Sequence, residues 1–335
     1  MKTYPNLLIL DDTENVLANA PALKELQSLA NITIFNHSIQ PEDDLSAFNI
    51  LFALRERTQI NSELLDRFPK LELILQSGGH AYHLDQDAAT SRGIVIALGR
   101  GAKNPMVVMP ELTWALILGL NRQLYLVHQQ MAQGEWPEVI GTTLHGKTLG
   151  ILGYGRHGKP IAKIGRIFGM KIAAWDRGGH YASDEADVAR YPLEELMRIS
   201  DIVTVHLKLS DESKGLISRE LLEKMKSTAL FINTSRGAIV DEDALADILA
   251  AGKIAGAGLD VFTKEPLAEN SRLRSLPNVI LTPHIGWKVD ILLHEWMEMA
   301  ANQLEEWLNQ RLNPEVVLNP AAVLVPKNRL GNIAS

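Results

Sequence analysis

Residues 148–176 read TLGILGYGRHGKPIAKIGRIFGMKIAAWD, and this stretch decides the fold. Its first apolar run is followed by three glycines in G-x-G-x-x-G spacing, namely Gly153, Gly155 and Gly158. A helix-like segment comes next, and a second apolar run then ends at Asp176. A glycine triplet alone is a weak signal, because glycine-rich turns are common in α/β proteins. Placed between a strand and a helix, with an acidic residue ending the next strand, it predicts a dinucleotide-binding unit.

Each of these residues has a physical task in that prediction. Gly153 permits the tight turn, Gly155 lets the backbone approach a pyrophosphate, and Gly158 lets helix and strand pack closely. The unpaired N–H groups at the start of the helix favour an anion there. Asp176 accepts hydrogen bonds from ribose hydroxyls and repels a 2′-phosphate. We therefore expect NAD rather than NADP as the cofactor, although Arg177 partly offsets the repulsion.

Apolar runs on both sides of this unit alternate with helix-like segments, a pattern typical of parallel sheets wrapped by crossover helices. The first hundred residues contain five candidate strands: Leu7 to Leu10, Ile32 to Phe35, Ile50 to Leu54, Leu71 to Leu75 and Ile94 to Leu98. Later residues contain six: Leu149 to Leu152, Lys171 to Trp175, Ile202 to Leu207, Ala229 to Asn233, Ala255 to Leu259 and Val279 to Leu281. The sequence thus predicts an α/β fold with two doubly wound parallel sheets, a flavodoxin-like substrate domain and a Rossmann NAD-binding domain.

The chain of 335 residues, 46% of them hydrophobic, is long enough to build two such cores. We place the substrate domain at residues 1–101 plus 290–320, the NAD-binding domain at 102–289 and a tail at 321–335. Between the sheets, Pro110 stands at the expected first turn of a long helix, ELTWALILGLNRQLYLVHQQMAQ, which is apolar on more than one side. Such a helix is usually buried, either between domains or against a second subunit, and we favour a homodimer.

Composition excludes several classes of function. The formal net charge is -7 with both signs interspersed, so no basic surface for nucleic acid is indicated. No cysteine is present, which excludes thiolate catalysis and disulfides and suits a reducing cytoplasm. The N-terminus has no secretion signal pattern, and the longest apolar segment, Met106 to Leu120, is interrupted by Pro110 and Glu111. We expect a cytoplasmic protein that binds neither membranes nor nucleic acids.

Polar residues follow several of the predicted strands of the second domain, where an open α/β sheet binds its ligands. They are His206, Arg236, Asp260 with Glu265, and His284. Arg236 offers a planar, permanently charged fork suited to a substrate carboxylate. Histidine suits acid and base catalysis, which makes His284 the candidate, and Glu265 can accept from its second ring nitrogen. This set suits hydride transfer between the cofactor and a 2-keto acid, with Arg236, Glu265 and His284 as the catalytic residues.

Each of these residues also has a structural interpretation. Arg236 can instead cap a helix in SRGAIVDEDAL, and Glu265 can be a solvated turn residue before Pro266. His80, His83 and Asp85 are residue types that can bind a metal. A loop that lies over a substrate is the simpler explanation for them, and we predict no metal. Trp287, Tyr82 and His83 can be core residues or can line a substrate pocket, and the sequence leaves both possibilities open.

The motifs together resemble the D-isomer-specific 2-hydroxyacid dehydrogenase family, which includes phosphoglycerate dehydrogenase and glyoxylate/hydroxypyruvate reductase. The resemblance spans about Leu7 to Pro320 and is carried by HGKTLGILGYGRHG, VHLKLSDESKGLI, FINTSRGAIVDEDAL, AGAGLDVFTKEPL and LTPHIGW. It implies a D-2-hydroxyacid dehydrogenase whose catalytic Arg, Glu and His are Arg236, Glu265 and His284. It also implies cofactor contacts at Arg156, His157, Asp176, His206, Thr234, Asp260 and Gly286, in addition to the three glycines.

The same resemblance implies that backbone N–H groups of the loop QSGGHAYHLD hold the substrate carboxylate, at Gly79 and His80, together with Arg236. The sequence departs from the family here, where many members have Val-Gly, and again at Lys208, which replaces Pro. These departures do not change the expected class of reaction, but they leave the identity of the substrate undecided. The alternative is an NAD-responsive binding protein like the C-terminal binding protein corepressors, which resemble this family.

Overall fold

A computed structural model describes residues 4–178 and 187–324 of the chain. The chain divides into two units. The first takes the residues up to Asn104 and those from Asp290 onward, and the second runs from Pro105 to Val289. The predicted tail begins within a described turn, Pro320–Leu324, whose Ala322 is buried, and its residues 325–335 lie outside the described part.

Within the described residues, most successive strands of both units are separated by helices. The strands are β1 (Asn6–Ile9), β2 (Asn31–Ile34), β3 (Ile50–Ala53), β4 (Leu73–Gln76), β5 (Val95–Leu98), β6 (Thr148–Leu152), β7 (Lys171–Trp175), β8 (Val188–Arg190), β9 (Ile202–Val205), β10 (Leu230–Asn233), β11 (Gly256–Leu259) and β12 (Val279–Leu281). The α-helices are α1 (Leu23–Leu29), α2 (Ser62–Asp66), α3 (Gln86–Ser91), α4 (Pro105–Asn121), α5 (Leu124–Ala132), α6 (Gly158–Ile167), α7 (Leu193–Ile199), α8 (Arg219–Leu222), α9 (Glu242–Ala250) and α10 (Asp290–Leu308).

The first unit contains a parallel sheet in the order β2-β1-β3-β4-β5. This order is that of flavodoxin-like domains and confirms the predicted class. Polar caps begin α2 and α3, since the side chains of Asn61 and Asp85 accept the N–H groups of Leu64 and Ala88.

The second unit contains a parallel sheet in the order β12-β11-β10-β9-β6-β7-β8. The strand order reverses direction beside β6, as in the predicted Rossmann fold. Its central strands are buried on both faces: Leu230 and Ile232 contribute to one core, and Phe231 lies in the core on the other face. Strands buried on both sides read as continuous apolar runs, which is why they were visible in the sequence.

Two details of the second unit differ from the sequence prediction. The sheet has a seventh described strand, β8, which was not predicted because its residues Val-Ala-Arg do not form a continuous apolar run, unlike the equally short β12. The long helix is two helices, because Gln123 adopts a left-handed backbone with φ of 52° between α4 and α5. Pro110 does not begin α4 but lies inside it, at the loss of one backbone hydrogen bond.

Helix α4 is buried by other elements of its own unit. Nine of its residues are buried, among them Trp114, Leu116 and Ile117, and the helix packs against β10, β11 and β12. The apolar character of α4 is thus explained without a second subunit. None of the helices in the described ranges combines the length and apolar character needed to cross a bilayer.

Candidate active site

The carboxyl edge of the second-unit sheet collects the polar residues predicted from strand ends. Along the sheet order, the residues that follow the strands are His284 after β12, Asp260 after β11, Arg236 after β10, His206 after β9, Gly153 after β6 and Asp176 after β7. Because all these strands are parallel, their ends meet at one edge. The catalytic candidates therefore occupy one side of the glycine turn and Asp176 the other.

His284 and Glu265 form a hydrogen-bonded pair at one end of this edge. Nδ1 of His284 lies 2.7 Å from Oε2 of Glu265, while Oε1 of Glu265 accepts the N–H of Phe262 at 2.9 Å. The side chains are 24% and 35% exposed, so both reach solvent. Glu265 is therefore fixed through both carboxylate oxygens and is not merely a solvated turn residue.

Asp260 anchors the turn that carries His284. Its carboxylate is fully buried and accepts from the hydroxyl of Thr282 at 2.6 Å and from the N–H groups of Ile285 and Gly286 at 2.8 and 3.0 Å. His284 itself has a left-handed backbone, with φ of 52°, which non-glycine residues adopt at a cost. The bonds to Asp260 on either side of His284 hold this conformation. Sequence reasoning foresaw only a cofactor contact for Asp260.

Ionisation in this cluster follows from burial and hydrogen bonding. Burial alone would raise the pKa of Glu265, but the hydrogen bond and charge of His284, with smaller contributions from Phe262 and Arg236, bring it below its ordinary value. Burial raises the pKa of Asp260, and its hydrogen bonds oppose part of that rise. Glu265 is thus held as a carboxylate beside the imidazole.

Arg236 follows β10 in an extended conformation, directly before the short 3-10 turn Gly237–Ile239. Its Nη1 donates to the carbonyl of Ser235 at 2.7 Å, and the residue is partly exposed. The next helix, α9, is capped by Asp241, whose side chain accepts the N–H of Ala244. Arg236 therefore does not cap α9, and it stands at the N-terminal end of the 3-10 turn without a side-chain capping hydrogen bond.

The glycine turn has the shape that a dinucleotide requires. Gly153 has a φ of 96°, and a Cβ on it would lie 2.7 Å from the carbonyl oxygen of His206. A Cβ on Gly158 would lie 2.2 Å from the carbonyl oxygen of Gly153. A Cβ on Gly155 would meet nothing within 4 Å, which leaves its backbone open to a ligand. Helix α6 has no side-chain cap and no acidic residue in its first turn, so its N-terminal N–H groups suit a pyrophosphate.

Two histidines flank this turn. Burial and, less strongly, the charge of nearby His157 lower the pKa of His206 from 6.5 to about 3, although part of the residue remains exposed. Its Nε2 lies 3.0 Å from the hydroxyl of Thr204. Burial and then Arg156 lower the pKa of His157, whose Nδ1 is buried without a partner among the described residues. Both imidazoles are therefore neutral near pH 7.

Asp176 ends β7 and is held through both carboxylate oxygens. Oδ1 accepts the N–H of Tyr154 and Oδ2 accepts from Nη1 of Arg190, each at 2.6 Å. Arg190 was not among the site residues predicted from the sequence, because its strand, β8, was not predicted. Its register opposite Ala174 of β7 puts it beside Asp176, and only the strand order reveals this neighbour. Arg177 turns elsewhere, toward Ser210 and Glu212.

The other predicted residues have varied surroundings. Thr234 is buried with its hydroxyl 3.0 Å from that of Thr113, and the N–H of Gly286 is taken by Asp260. Trp287 is 7% exposed. The cofactor contacts assigned to Thr234 and Gly286 stay predictions.

The predicted substrate loop belongs to the first unit. Gly79 and His80 are partly exposed, His80 stacks on the exposed Tyr82, and His83 is 4% exposed. Neither ring nitrogen of His83 has a hydrogen-bond partner among the described residues, and burial lowers its pKa. Within residues 4–178 and 187–324, no group of three or more His, Asp or Glu side chains is arranged to hold a metal. The substrate role of Gly79 and His80 stays a prediction.

A Rossmann sheet with an open glycine turn, beside a carboxylate-histidine pair and an arginine, defines a dinucleotide-dependent oxidoreductase. Residues 114–286 match the family model described as D-isomer specific 2-hydroxyacid dehydrogenase, NAD binding domain. The chain belongs to this family.

Individual relatives agree with that assignment. A glyoxylate reductase from Aeropyrum pernix is 37% identical over 269 residues, which cover 77% of this chain and 80% of the relative. A phosphoglycerate oxidoreductase from Vibrio cholerae O395 has a TM-score of 0.84 and 33% identity, with 91% and 99% of the two chains covered. D-lactate dehydrogenase from Aquifex aeolicus, solved with NAD and lactic acid, has a TM-score of 0.78 and 26% identity, with 96% and 100% covered.

The chain is therefore an NAD(H)-dependent enzyme that interconverts a 2-keto acid and the corresponding 2-hydroxy acid. These relatives are enzymes, and they give no support to the alternative of an NAD-responsive binding protein.

Proposed function

We propose that the enzyme reduces a small 2-keto acid to its D-2-hydroxy acid with NADH, and that His284 is the acid and base of the reaction. The observation that carries this proposal is the 2.7 Å contact between His284 Nδ1 and Glu265 on the same sheet edge as Arg236. Glyoxylate and hydroxypyruvate are the substrates to consider first, because relatives carry the names glyoxylate reductase and hydroxypyruvate reductase.

Arg236 and the His284–Glu265 pair have separate tasks in this proposal. The guanidinium of Arg236 binds the substrate carboxylate, which fixes the orientation of the neighbouring carbonyl. Glu265 accepts from Nδ1, so Nε2 of His284 faces the substrate and carries the proton that moves to the carbonyl oxygen. In the oxidation direction, neutral His284 takes the hydroxyl proton at the same nitrogen. Asp260 keeps the imidazole in place through the turn.

The residues around the glycine turn fit NADH, which supplies the hydride when bound. Gly153, Gly155 and Gly158 with the start of α6 would hold its pyrophosphate, with Arg156 and His157 beside it. Asp176 would accept from the adenosine ribose and oppose a 2′-phosphate, which supports a preference for NADH over NADPH.

An exposed apolar surface on the second unit supports a homodimer. We define the 124–140 surface by four side chains: Leu124, Met131, Trp136 and Ile140, which are 54%, 47%, 83% and 93% exposed. Helix α5, which begins this segment, has no buried residue. Exposed apolar groups concentrated in one segment are typical of an interaction site, and a second copy of the chain is the occupant we propose. A cytoplasmic location accords with the absence of cysteine.

A panel of 2-keto acids tests the function. Purified enzyme is incubated with NADH or NADPH and with glyoxylate, hydroxypyruvate, pyruvate or an aromatic 2-keto acid, and loss of the reduced cofactor is followed by absorbance. We expect the smallest acids to be turned over fastest and hydroxypyruvate to give the D isomer, which chiral chromatography identifies. An L product, or a strong preference for the aromatic acid, would contradict the proposal.

A further inference from the structure

The adenosine end of the cofactor site contains a cation that the dehydrogenase function alone does not require. Arg190 donates from Nη1 to Asp176 at 2.6 Å, and its guanidinium lies 4.4 Å from the centre of the Tyr154 ring. Its side chain is 13% exposed and that of Asp176 is 30% exposed. The guanidinium is therefore held between an aromatic face and the carboxylate expected to read the ribose.

This pairing weakens the usual reason for rejecting NADP(H). An isolated carboxylate at the end of the second strand repels a 2′-phosphate, whereas a carboxylate paired with Arg forms a unit without net charge. The arginine fork also matches phosphate geometry. Nε of Arg190 is buried without an acceptor among the described residues.

Other cations nearby are directed elsewhere. Arg177, which follows Asp176 directly, is 54% exposed and pairs with Glu212 at 3.0 Å. Arg166 pairs with Asp187 on the neighbouring surface. Arg190 is therefore the described arginine in direct contact with Asp176, and it is better placed than Arg177 to meet a phosphate on the ribose.

We propose that Arg190 is a specificity-determining residue, which pairs with Asp176 when the ribose carries a hydroxyl and binds the 2′-phosphate when the ribose carries one. The enzyme then uses both NADH and NADPH, and its preference for NADH is modest. This inference rests on the proposed role of Asp176 at the adenosine ribose.

The test compares kcat/KM for NADH and for NADPH in the wild type, R190M, R190K and the control R177M. Met keeps much of the length of Arg and removes its charge. In R190M we expect the NADPH value to fall about 10- to 100-fold relative to the NADH value, as for loss of hydrogen bonds to a charged group. R190K should show a smaller fall, because it keeps the charge and loses the fork. R177M should change the ratio by less than R190M.

Fragment binding supplies a readout that does not depend on turnover. Calorimetry with the wild type measures dissociation constants for 5′-AMP and for adenosine 2′,5′-bisphosphate. We expect the two values to lie within about tenfold, because Arg190 compensates for the second phosphate. Binding of the bisphosphate that is weaker by about 100-fold or more would overturn the proposal without any variant.

The variant D176N separates this inference from the function on which it rests. If Asp176 reads the ribose, D176N raises the NADPH to NADH ratio, and an unchanged ratio would refute the proposed role of Asp176. A changed ratio in D176N with an unchanged ratio in R190M would refute the role of Arg190 alone.

Discussion

Nδ1 of His284 and Oε2 of Glu265 lie 2.7 Å apart although 19 positions separate the residues in the chain. His284 follows β12 and Glu265 follows β11, so the neighbouring positions of these strands create the pair. The second oxygen of Glu265 is held by the N–H of Phe262, which leaves the carboxylate little freedom. The pair thus has the fixed geometry that proton transfer through an imidazole requires.

Replacing His284 by Asn removes the proposed proton donor while leaving a polar side chain. We expect kcat for keto-acid reduction to fall about 10²- to 10⁴-fold, the usual contribution of general acid catalysis. Binding of NADH, measured by fluorescence titration, should stay close to the wild-type value. Retained turnover in H284N would remove His284 from the acid and base role.

The variant E265Q keeps the shape of the side chain and removes its charge. Because the pKa of Glu265 lies below its ordinary value, the carboxylate is charged throughout the neutral range, and its effect is lost only as the pH falls through the lowered pKa. Above that pH, E265Q should reduce kcat, and the basic limb of its profile for keto-acid reduction should move to lower pH. We would measure kcat/KM from pH 5 to 9. Identical profiles for wild type and E265Q would show that the pair does not govern protonation.

Replacing Arg236 by Lys keeps the charge and loses the bidentate fork. We expect KM for the keto acid to rise about tenfold or more, with a smaller change in KM for NADH. The variant R219K is the matched control, because Arg219 lies at the surface in a pair with Asp247. An unchanged KM for the keto acid in R236K would exclude a carboxylate contact.

Acid should destabilise the second unit through His206. Its pKa is about 3 in the folded protein against 6.5 ordinarily, so the unfolded chain binds the extra proton between these values. Stability is therefore fully present above pH 6.5 and is lost as the pH falls, by up to about 1.4 kcal/mol per pH unit from this group. Urea unfolding of wild type and H206N from pH 7 to 5 checks the slope, which should be shallower in H206N. Parallel slopes would contradict the assignment.

The 124–140 surface predicts the oligomeric state. A W136E/I140E variant should dissociate to monomers, because two exposed apolar side chains of the proposed interface become charged. Sedimentation velocity measures the change, and I167E is the control, since Ile167 is 78% exposed at the end of α6, outside this surface. A wild type that sediments as a monomer at all concentrations would reject the homodimer.

The features that arise from local sequence patterns could be predicted from the sequence alone. Continuous apolar runs located most strands, because strands buried on both faces contain few polar residues. The glycine triplet located the turn before α6. At Gly153 and Gly158 a Cβ would lie only 2.7 and 2.2 Å from backbone oxygens, so few residues other than glycine fit there. Arg236 and His284 could be selected because they follow such runs and carry suitable chemistry.

Features that depend on strand order were decided by the tertiary structure. Asp260 anchors the His284 turn because β11 and β12 are neighbours, and Arg190 reaches Asp176 because β8 lies beside β7. Arg190 lies on a short strand, Val-Ala-Arg, which lacks the continuous apolar run that marks the other strands. The sequence by itself determined the fold class and the chemical groups available. The pairing of those groups came from contacts between distant segments, whose free energy depends on packing of the whole sheet and not on any local pattern.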